Sequence, residues 1–200
     1  ADLIILLTKA MYSDSALTSA LLDRLLHNGD TVVIDGKIVY GHDGFAGELG
    51  HTCADYTDAA RPCNCGKKGC LEAYASATGV ARTAKEIVSS SAKDTLLRQL
   101  PIDHITSKDV FEAAEKGDEV AKQIFDYTGT ILGRSLADFV AFSAPEAIIL
   151  FGGLCKSGHW ILDPVVRALN DNVLPLWRGK VKVLFSGLNE ADAAVLGAAA

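Results

Sequence analysis

The sequence lacks a hydrophobic run long enough to cross a membrane as a helix, which takes roughly 20 apolar residues. It also lacks the basic start and small-residue cleavage site of a secretion signal. Basic residues are fewer than acidic ones: the chain has 19 Lys and Arg and 25 Asp and Glu, and its formal net charge is -6. Nucleic-acid affinity depends mainly on clustered Lys and Arg. We therefore expect a cytoplasmic protein that binds neither membranes nor nucleic acid through this chain.

Cysteine is scarce and odd in number, which argues against a disulfide scaffold. Three of the five cysteines crowd together as Cys63, Cys65 and Cys70. Such a cluster is typical of a metal site in a reducing compartment. Cys53 and Cys155 stand apart from it. Because free cysteine is commonly buried, we interpret these two as small, partly buried apolar residues.

The sequence does contain enough apolar residues for one packed core, since 49% of its 200 residues are hydrophobic. Toward the C-terminus, short β-type runs alternate with segments of helical periodicity. This predicts a single α/β lobe over residues 1–200, with right-handed crossovers. An Asp-Gly pair between two β-branched runs predicts a hairpin over 31–40. Strands are predicted at 2–8, 147–151 and 181–185, and helices at 13–27, 71–75, 78–91, 106–116, 118–142, 161–172 and 192–200.

Residues 41–69 are rich in Gly, Asp, Asn and Cys and poor in periodic apolar residues, so we expect a long loop there. A loop of that length in a compact domain is usually functional. One histidine precedes the three cysteines, and the gaps between the four are eleven, one and four residues. One His and three Cys are a standard ligand set for structural zinc, with no position left open for water. The predicted zinc ligands are His51, Cys63, Cys65 and Cys70.

The residues between these ligands suit a metal site. Gly66 and Gly69 allow the backbone to turn sharply from one ligand to the next. Lys67 and Lys68 would partly offset the negative charge that three thiolates leave around one Zn²⁺. The alternative interpretation is a set of free thiols on a surface loop, which would be prone to oxidation.

Two glutamates are tethered to the same loop. Glu48 lies three residues before His51, and Glu72 lies two residues after the last cysteine. Paired carboxylates are a common way to bind a sugar, because each accepts charge-assisted hydrogen bonds from hydroxyl groups. A histidine that holds zinc by one ring nitrogen keeps the other as a donor. An isolated glutamate is more often a solvated surface residue, but the shared anchor favours a substrate site of Glu48, His51 and Glu72.

The segments GHDGFAGELGH at 41–51 and RPCNCGKKGCLEAYASATG at 61–79 closely resemble the signature of the ROK family of sugar kinases and repressors. The resemblance extends from about residue 31 to the end of the chain, including PEAIILFGG at 145–153 and EADAAVLGAAA at 190–200. It implies the actin-like, hexokinase-type ATPase fold, which is ribonuclease H-like. The chain would form mainly its C-terminal lobe, with a zinc- and sugar-binding loop at 41–72.

The resemblance also implies roles for individual residues. Glu48, His51 and Glu72 look like the hexose contacts of the family, and His51 with the three clustered cysteines looks like its zinc site. Gly152 and Gly153 look like part of the nucleotide-side wall.

By the same resemblance, the expected activity is ATP-dependent phosphorylation of a hexose, of the glucokinase or N-acetylhexosamine kinase type. ATP and Mg²⁺ would take part, and the family implies a homodimer. The alternative is the effector-binding and oligomerisation domain of a ROK transcriptional repressor. A third possibility is a zinc-stabilised assembly module with no ligand of its own. We interpret the long helix at 118–142 either as part of a dimer interface or as an ordinary core helix.

The chain departs from the family pattern in its first 30 residues. Family kinases carry an Asp-Gly-Gly-Thr phosphate loop and an Asn-Asp pair that supplies the catalytic base, and neither is found in these first 30 residues. Residues 9–30, which we expect to be helical, replace a glycine-rich turn. Asp14, Asp23 and Asp30 are explained by capping and solvation, so no catalytic residue is assigned. We expect the chain to supply the sugar- and zinc-binding lobe and to be incomplete for catalysis.

Overall fold

The computed structural model describes residues 4–8, 31–34, 37–38, 41–43 and 46–186. Five strands in this part of the chain form one sheet in the order β3-β2-β1-β4-β5. They are β1 (Ile4–Thr8), β2 (Thr31–Ile34), β3 (Lys37–Ile38), β4 (Ala147–Phe151) and β5 (Lys182–Phe185). The strands predicted at 2–8, 147–151 and 181–185 are thereby confirmed. The helical segment predicted at 9–30 and the helix predicted at 192–200 lie outside the described residues.

The sheet is mixed because β1 joins two different kinds of neighbour. β1 runs parallel to β2 and antiparallel to β4, with Ile4 opposite Phe151 and Thr8 opposite Ala147. β2 and β3 are antiparallel, as the predicted hairpin requires. β4 and β5 are parallel, and the helix His159–Asn172 lies between them in sequence. Parallel neighbours need such a crossover, so the predicted strand-helix-strand unit is present.

Five helices accompany the sheet in the described chain. They are α1 (Glu72–Ala75), α2 (Ala77–Ser90), α3 (Ser107–Glu115), α4 (Glu119–Ser143) and α5 (His159–Asn172). Short 3-10 helices lie at Leu49–His51, Leu96–Gln99, Ile102–His104 and Gly153–Ser157. The described helices include none that is both long enough and apolar enough to span a bilayer.

Side-chain caps fix where the two central helices begin. The Thr106 hydroxyl accepts the Asp109 N–H at 3.3 Å, and the Asp109 carboxylate accepts the Thr106 N–H at 2.8 Å, so the predicted capping box opens α3. The Asp118 carboxylate accepts the N–H groups of Val120 and Ala121, both at 2.9 Å, at the start of α4. The first N–H groups of a helix have no partner within it, so these caps stabilise both starts.

The core lies where α4 crosses α5. Two glycines of α4 let the helices approach closely, since a Cβ at Gly133 would lie 2.5 Å from the carbonyl oxygen of Val165 and 2.7 Å from the Cβ of Ala168. A Cβ at Gly129 would lie 2.6 Å from the Pro164 ring. Backbone-to-backbone contact of this kind leaves no room for a side chain, so both glycines are fixed by packing.

The buried face of α4 is the face that the periodicity of its apolar residues predicts, except at Tyr127. Val120, Ile124, Leu132, Leu136 and Phe139 are buried, whereas Tyr127 is 43% exposed and lies outside the core. Thirteen residues of α4 are buried within the chain itself. The interpretation of α4 as a core helix is therefore correct, and its apolar face is not available to a dimer interface.

We predict that Gly133→Ala destabilises the protein by about 1–3 kcal/mol, because the added methyl group overpacks the α4–α5 contact. The same change in an ordinary helix would stabilise it by about 1 kcal/mol, so the sign of the effect is diagnostic. Urea unfolding monitored by circular dichroism measures it. Asp138→Ala, on the exposed side of α4, is the matched control and should leave the free energy of unfolding nearly unchanged. An equal or higher stability of Gly133→Ala would contradict the packing described.

Candidate metal centre

The loop before α1 folds back on itself through a small number of backbone contacts. Isolated β-bridges pair Cys53 with Cys70 and Pro62 with Lys68. Inside the second bridge, the Cys63 N–H donates to the Lys67 carbonyl at 2.9 Å, which closes a tight turn around Cys65. Gly66 in this turn has φ +89°, a conformation that residues with a Cβ rarely adopt. The local sequence thus places Cys63 and Cys65 on one turn and brings Cys70 beside them.

The four predicted ligands converge. A ring nitrogen of His51 and the sulfur atoms of the three cysteines all lie within 4.8 Å of one another. The Cys65 and Cys70 sulfurs are 3.5 Å apart, and the Cys63 sulfur lies 3.7 Å from Nδ1 of His51. Zinc–sulfur bonds of about 2.3 Å at tetrahedral angles separate two sulfur ligands by about 3.8 Å. The donor set and its spacing therefore fit one tetrahedral Zn²⁺.

The buried cysteine of the cluster carries a proton in the absence of a metal. Cys70 is fully buried, and burial raises the pKa of its thiol to about 12, with the nearby sulfurs of Cys65 and Cys63 adding to the effect. A thiol in this environment stays protonated at neutral pH unless a metal binds to it, since coordination removes the proton outright. A cation bound here would therefore displace the proton of the Cys70 thiol.

Lys67 connects the histidine to the cysteine turn. Its ammonium group donates to the backbone carbonyl of His51 at 2.6 Å. The short 3-10 helix Leu49–His51 carries no side-chain cap of its own. The lysine therefore holds the end of this helix next to Cys63 and Cys65, and it brings a positive charge to the cluster.

The two predicted carboxylates flank the same imidazole. Oε2 of Glu72 lies 3.5 Å from Nδ1 of His51 and 3.9 Å from the Cys63 sulfur, whereas Oε2 of Glu48 lies 4.0 Å from Nε2. Both carboxylates are about half exposed, at 47% for Glu48 and 50% for Glu72. Nδ1 lies near both the Cys63 sulfur and Glu72, and Nε2 lies near Glu48, so the ring stands between the cysteine cluster and the two carboxylates. All three predicted substrate residues are brought together.

A polar cleft of about 190 Å³ opens beside Glu72. Asn64, Thr78 and Arg82 line it together with Glu72 and the edge of the cysteine turn. The sequence reasoning missed these three side chains, because no spacing rule connects the turn to the surface of α2. Their amide, hydroxyl and guanidinium groups extend the polar surface that begins at Glu72.

The two predicted nucleotide-side glycines lie elsewhere, at the carboxyl end of β4. Gly152 has φ +117° and precedes the 3-10 helix Gly153–Ser157. Within the described part of the chain, and apart from Gly153 itself and its two neighbours, no atom lies within 4 Å of the position that a Cβ would take at Gly153. In open α/β sheets, ligands bind beyond the carboxyl ends of the strands, which is where these glycines lie.

Tyr74 of α1 carries a second contact that the sequence did not reveal. Its hydroxyl group donates to the Asp55 carboxylate at 2.6 Å and accepts the Arg61 N–H at 2.9 Å. Burial raises the pKa of the Tyr74 phenol, so it remains a donor. The hydrogen bond from Tyr74, with those from Thr57, lowers the pKa of the Asp55 carboxyl. One buried phenol of α1 thus joins Asp55 and Arg61 in the middle of the loop.

Comparison with known proteins relates this arrangement to a family. The family model described as ROK matches residues 28–200. A glucokinase of Halalkalibacterium halodurans is 38% identical over 74% of the chain and 44% of its own length. An N-acetylglucosamine repressor of Escherichia coli O157:H7 is 27% identical over 82% of the chain and 39% of its own length. The chain spans about half the length of the curated relatives it matches.

A solved structure gives the same relation in three dimensions. The structure of a ROK family glucokinase from Streptomyces griseus, in complex with glucose and AMPPNP, superposes with a TM-score of 0.75 and 29% identity. The superposition covers 99% of the chain and 59% of that protein.

We predict that Tyr74→Phe raises the pKa of the Asp55 carboxyl toward the usual Asp value of about 3.9, because the largest stabilising hydrogen bond to the carboxylate is lost. The depressed pKa of Asp55 stabilises the fold above the unfolded pKa, and this contribution disappears as the pH falls through the folded pKa. The acid limb of the stability curve should therefore flatten in the variant.

Carboxyl-carbon NMR titration of both proteins measures this pKa. The remote carboxyl of Asp118 is the internal control: burial raises its pKa, but hydrogen bonds from Ala121 and Leu96 lower it on balance. Its titration should be the same in both proteins. An unchanged Asp55 titration in the variant would mean that the phenol does not hold the carboxylate.

Proposed function

The chain belongs to the ROK family, and from that membership we propose that it forms the sugar- and zinc-binding lobe of an ATP-dependent hexose kinase. The reaction is of the glucokinase or N-acetylhexosamine kinase type. The chain has the α/β fold of ROK sugar kinases. The observation that carries the proposal is the single imidazole of His51, with the Cys63 sulfur 3.7 Å from Nδ1 and the Glu48 carboxylate 4.0 Å from Nε2.

In this proposal, zinc is a structural ion held by His51, Cys63, Cys65 and Cys70. Bound through Nδ1 of His51, it supplies a fixed centre that leaves Nε2 protonated, because a metal on one ring nitrogen sets the tautomer of the other. The donor spacing and the buried Cys70 thiol support this assignment. Reduced thiols are needed as ligands, which is why we place the protein in the cytoplasm.

The sugar binds on the solvent side of the imidazole. Nε2 of His51 donates to a sugar oxygen, and the half-exposed carboxylates of Glu48 and Glu72 accept from hydroxyl groups. These residues hold the hexose in one orientation, so that a chosen hydroxyl points toward the phosphate donor. Orientation accounts for much of the rate in phosphoryl transfer, because little covalent chemistry falls to the protein.

The nucleotide side of the site is formed by Gly152 and Gly153 at the carboxyl end of β4. The open backbone at Gly153 supports this placement, and the Streptomyces griseus glucokinase was crystallised with AMPPNP as well as glucose. Mg²⁺ would accompany ATP and neutralise phosphate charge. The catalytic base is not assigned to any residue of this chain, and a homodimer stays a prediction.

A second candidate is the effector-binding and oligomerisation domain of a ROK repressor. The 27% identity to an N-acetylglucosamine repressor over 82% of the chain favours it. The sugar site would then serve as a sensor rather than a reaction centre. A coupled assay with ATP and a panel of hexoses, on the natural gene product that contains this chain, separates the two. We expect phosphorylation of glucose or of an N-acetylhexosamine, and binding without turnover would favour the repressor.

We predict that Cys65→Ser removes bound zinc and weakens glucose binding at least tenfold, because losing one of four ligands releases the loop that carries both carboxylates. Elemental analysis should find about one zinc per wild-type chain, and calorimetry measures the sugar affinity. Cys53→Ser is the matched control. Cys53 lies outside the four-ligand cluster, and its sulfur only donates to the Asp55 carbonyl. A Cys65→Ser protein with unchanged zinc content and unchanged glucose affinity would overturn the link between metal and sugar site.

A further inference from the structure

Arg61 has a buried side chain with an unusually complete set of partners. Only 7% of the side chain is exposed, and arginine is rarely buried unless its charge and its N–H groups are paired. The guanidinium plane lies 4.5 Å from the centre of the Tyr74 ring. Its N–H groups donate to the carbonyls of Ala73 and Gly79 at 3.0 and 3.4 Å, to the Thr83 hydroxyl at 2.9 Å and to the Glu86 carboxylate at 2.5 Å.

The backbone of Arg61 is tied to the cysteine turn on one side and to α1 on the other. Its carbonyl accepts the Gly69 N–H at 2.8 Å, and its own N–H donates to the Tyr74 hydroxyl at 2.9 Å. Cys63 follows two residues later, and Cys70 comes directly after Gly69. Both ends of the segment that carries the three cysteines therefore meet at Arg61.

The side chain of Arg61 extends this connection to the predicted sugar carboxylate. Its partner Ala73 is the residue after Glu72 in α1, a helix of only four residues. So short a helix leaves most of its carbonyl groups without a helical partner. The guanidinium group supplies a donor for one of them and thereby fixes the turn from which Glu72 projects. Oε2 of Glu72 then lies 3.9 Å from the Cys63 sulfur.

We propose that Arg61 is a positioning residue of the metal centre, one that holds the cysteine turn and Glu72 in register through α1 and α2. It contacts neither the metal ligands nor the sugar, and it acts through Tyr74, Ala73 and Glu86. The proposal rests on the function proposed above and names the residue that couples the two halves of its site. A lysine cannot take this role, because its ammonium group lacks the planar fork that reaches several acceptors at once.

The test compares wild type with Arg61→Lys and Arg61→Met. Zinc affinity is measured by competition with a chromophoric chelator, and Co²⁺ is substituted to record the absorption bands of a tetrahedral thiolate site. Glucose affinity is measured on zinc-saturated protein. We expect zinc to bind roughly tenfold or more weakly in both variants, as is typical when a partner outside the ligand set is lost. We also expect altered Co²⁺ bands, and weaker glucose binding even at full zinc occupancy.

Arg98→Met is the matched control. Arg98 donates to the carbonyls of Lys93 and Val88 in a part of the chain away from the metal loop, and its loss should change none of the three readouts. Should the Arg61 variants fail to fold, Glu86→Gln tests the same network, since this half-exposed carboxylate can be neutralised with little change in volume. It should shift zinc and glucose affinity in the same direction, by a smaller factor.

Three outcomes distinguish the ideas. Weaker zinc and glucose binding in the Arg61 or Glu86 variants supports the positioning role. Wild-type behaviour of these variants, with zinc and glucose bound by the wild type, overturns the positioning role and leaves the proposed function intact. A wild-type chain that binds no zinc overturns the proposed function, and the role of Arg61 with it.

Discussion

One imidazole and three thiol groups meet at a single point in the loop before α1, and the proposed metal and sugar sites both depend on that meeting. The loop buries little apolar surface of its own: Ala60 and Cys70 are the only core residues in its described part from 46 to 70. Hydrophobic packing therefore cannot fix its shape. Backbone hydrogen bonds, a phenol and a buried guanidinium group do so instead, and they place four donors at the spacing that zinc requires.

This way of building the loop has an electrostatic consequence. The Cys70 thiol is buried on the inner side of the cluster, where a charge without a partner is unfavourable. Glu48 and Glu72 lie at the surface on either side of the imidazole, and both remain half exposed. The imidazole of His51 stands between the two environments. A cation would bind to the sulfur atoms on the inner side, and sugar hydroxyl groups would donate to the carboxylates at the surface. These two interactions are the physical basis of the proposed sugar site.

The scaffold under the loop is rigid for a different reason. α4 and α5 pack closely at Gly129 and Gly133, where α5 fills the space that a side chain would need. α4 is buried along most of its length. β4 extends from this core and ends directly before Gly152 and Gly153, and β5 lies beside it. The loop before α1 is attached to this scaffold through α1 and α2. The contacts of Arg61 with Ala73 and Thr83 are where the irregular loop is joined to the helices.

The sequence by itself determined much of the regular structure, and it picked out the four side chains that the fold brings together. Periodicity and capping residues indicated α3, α4, β4 and β5, because each depends on neighbours within a few residues, and the spacing of His51 and the cysteines indicated a shared metal. Only the tertiary structure decided that Nδ1 of His51 lies near the Cys63 sulfur, that Tyr127 lies outside the core, and that Arg61 joins the cysteine turn to α1 and α2. These features depend on contacts between residues far apart in sequence, such as Arg61 and Glu86, which are 25 positions apart. A local sequence pattern does not specify which distant acceptor pairs with a buried donor.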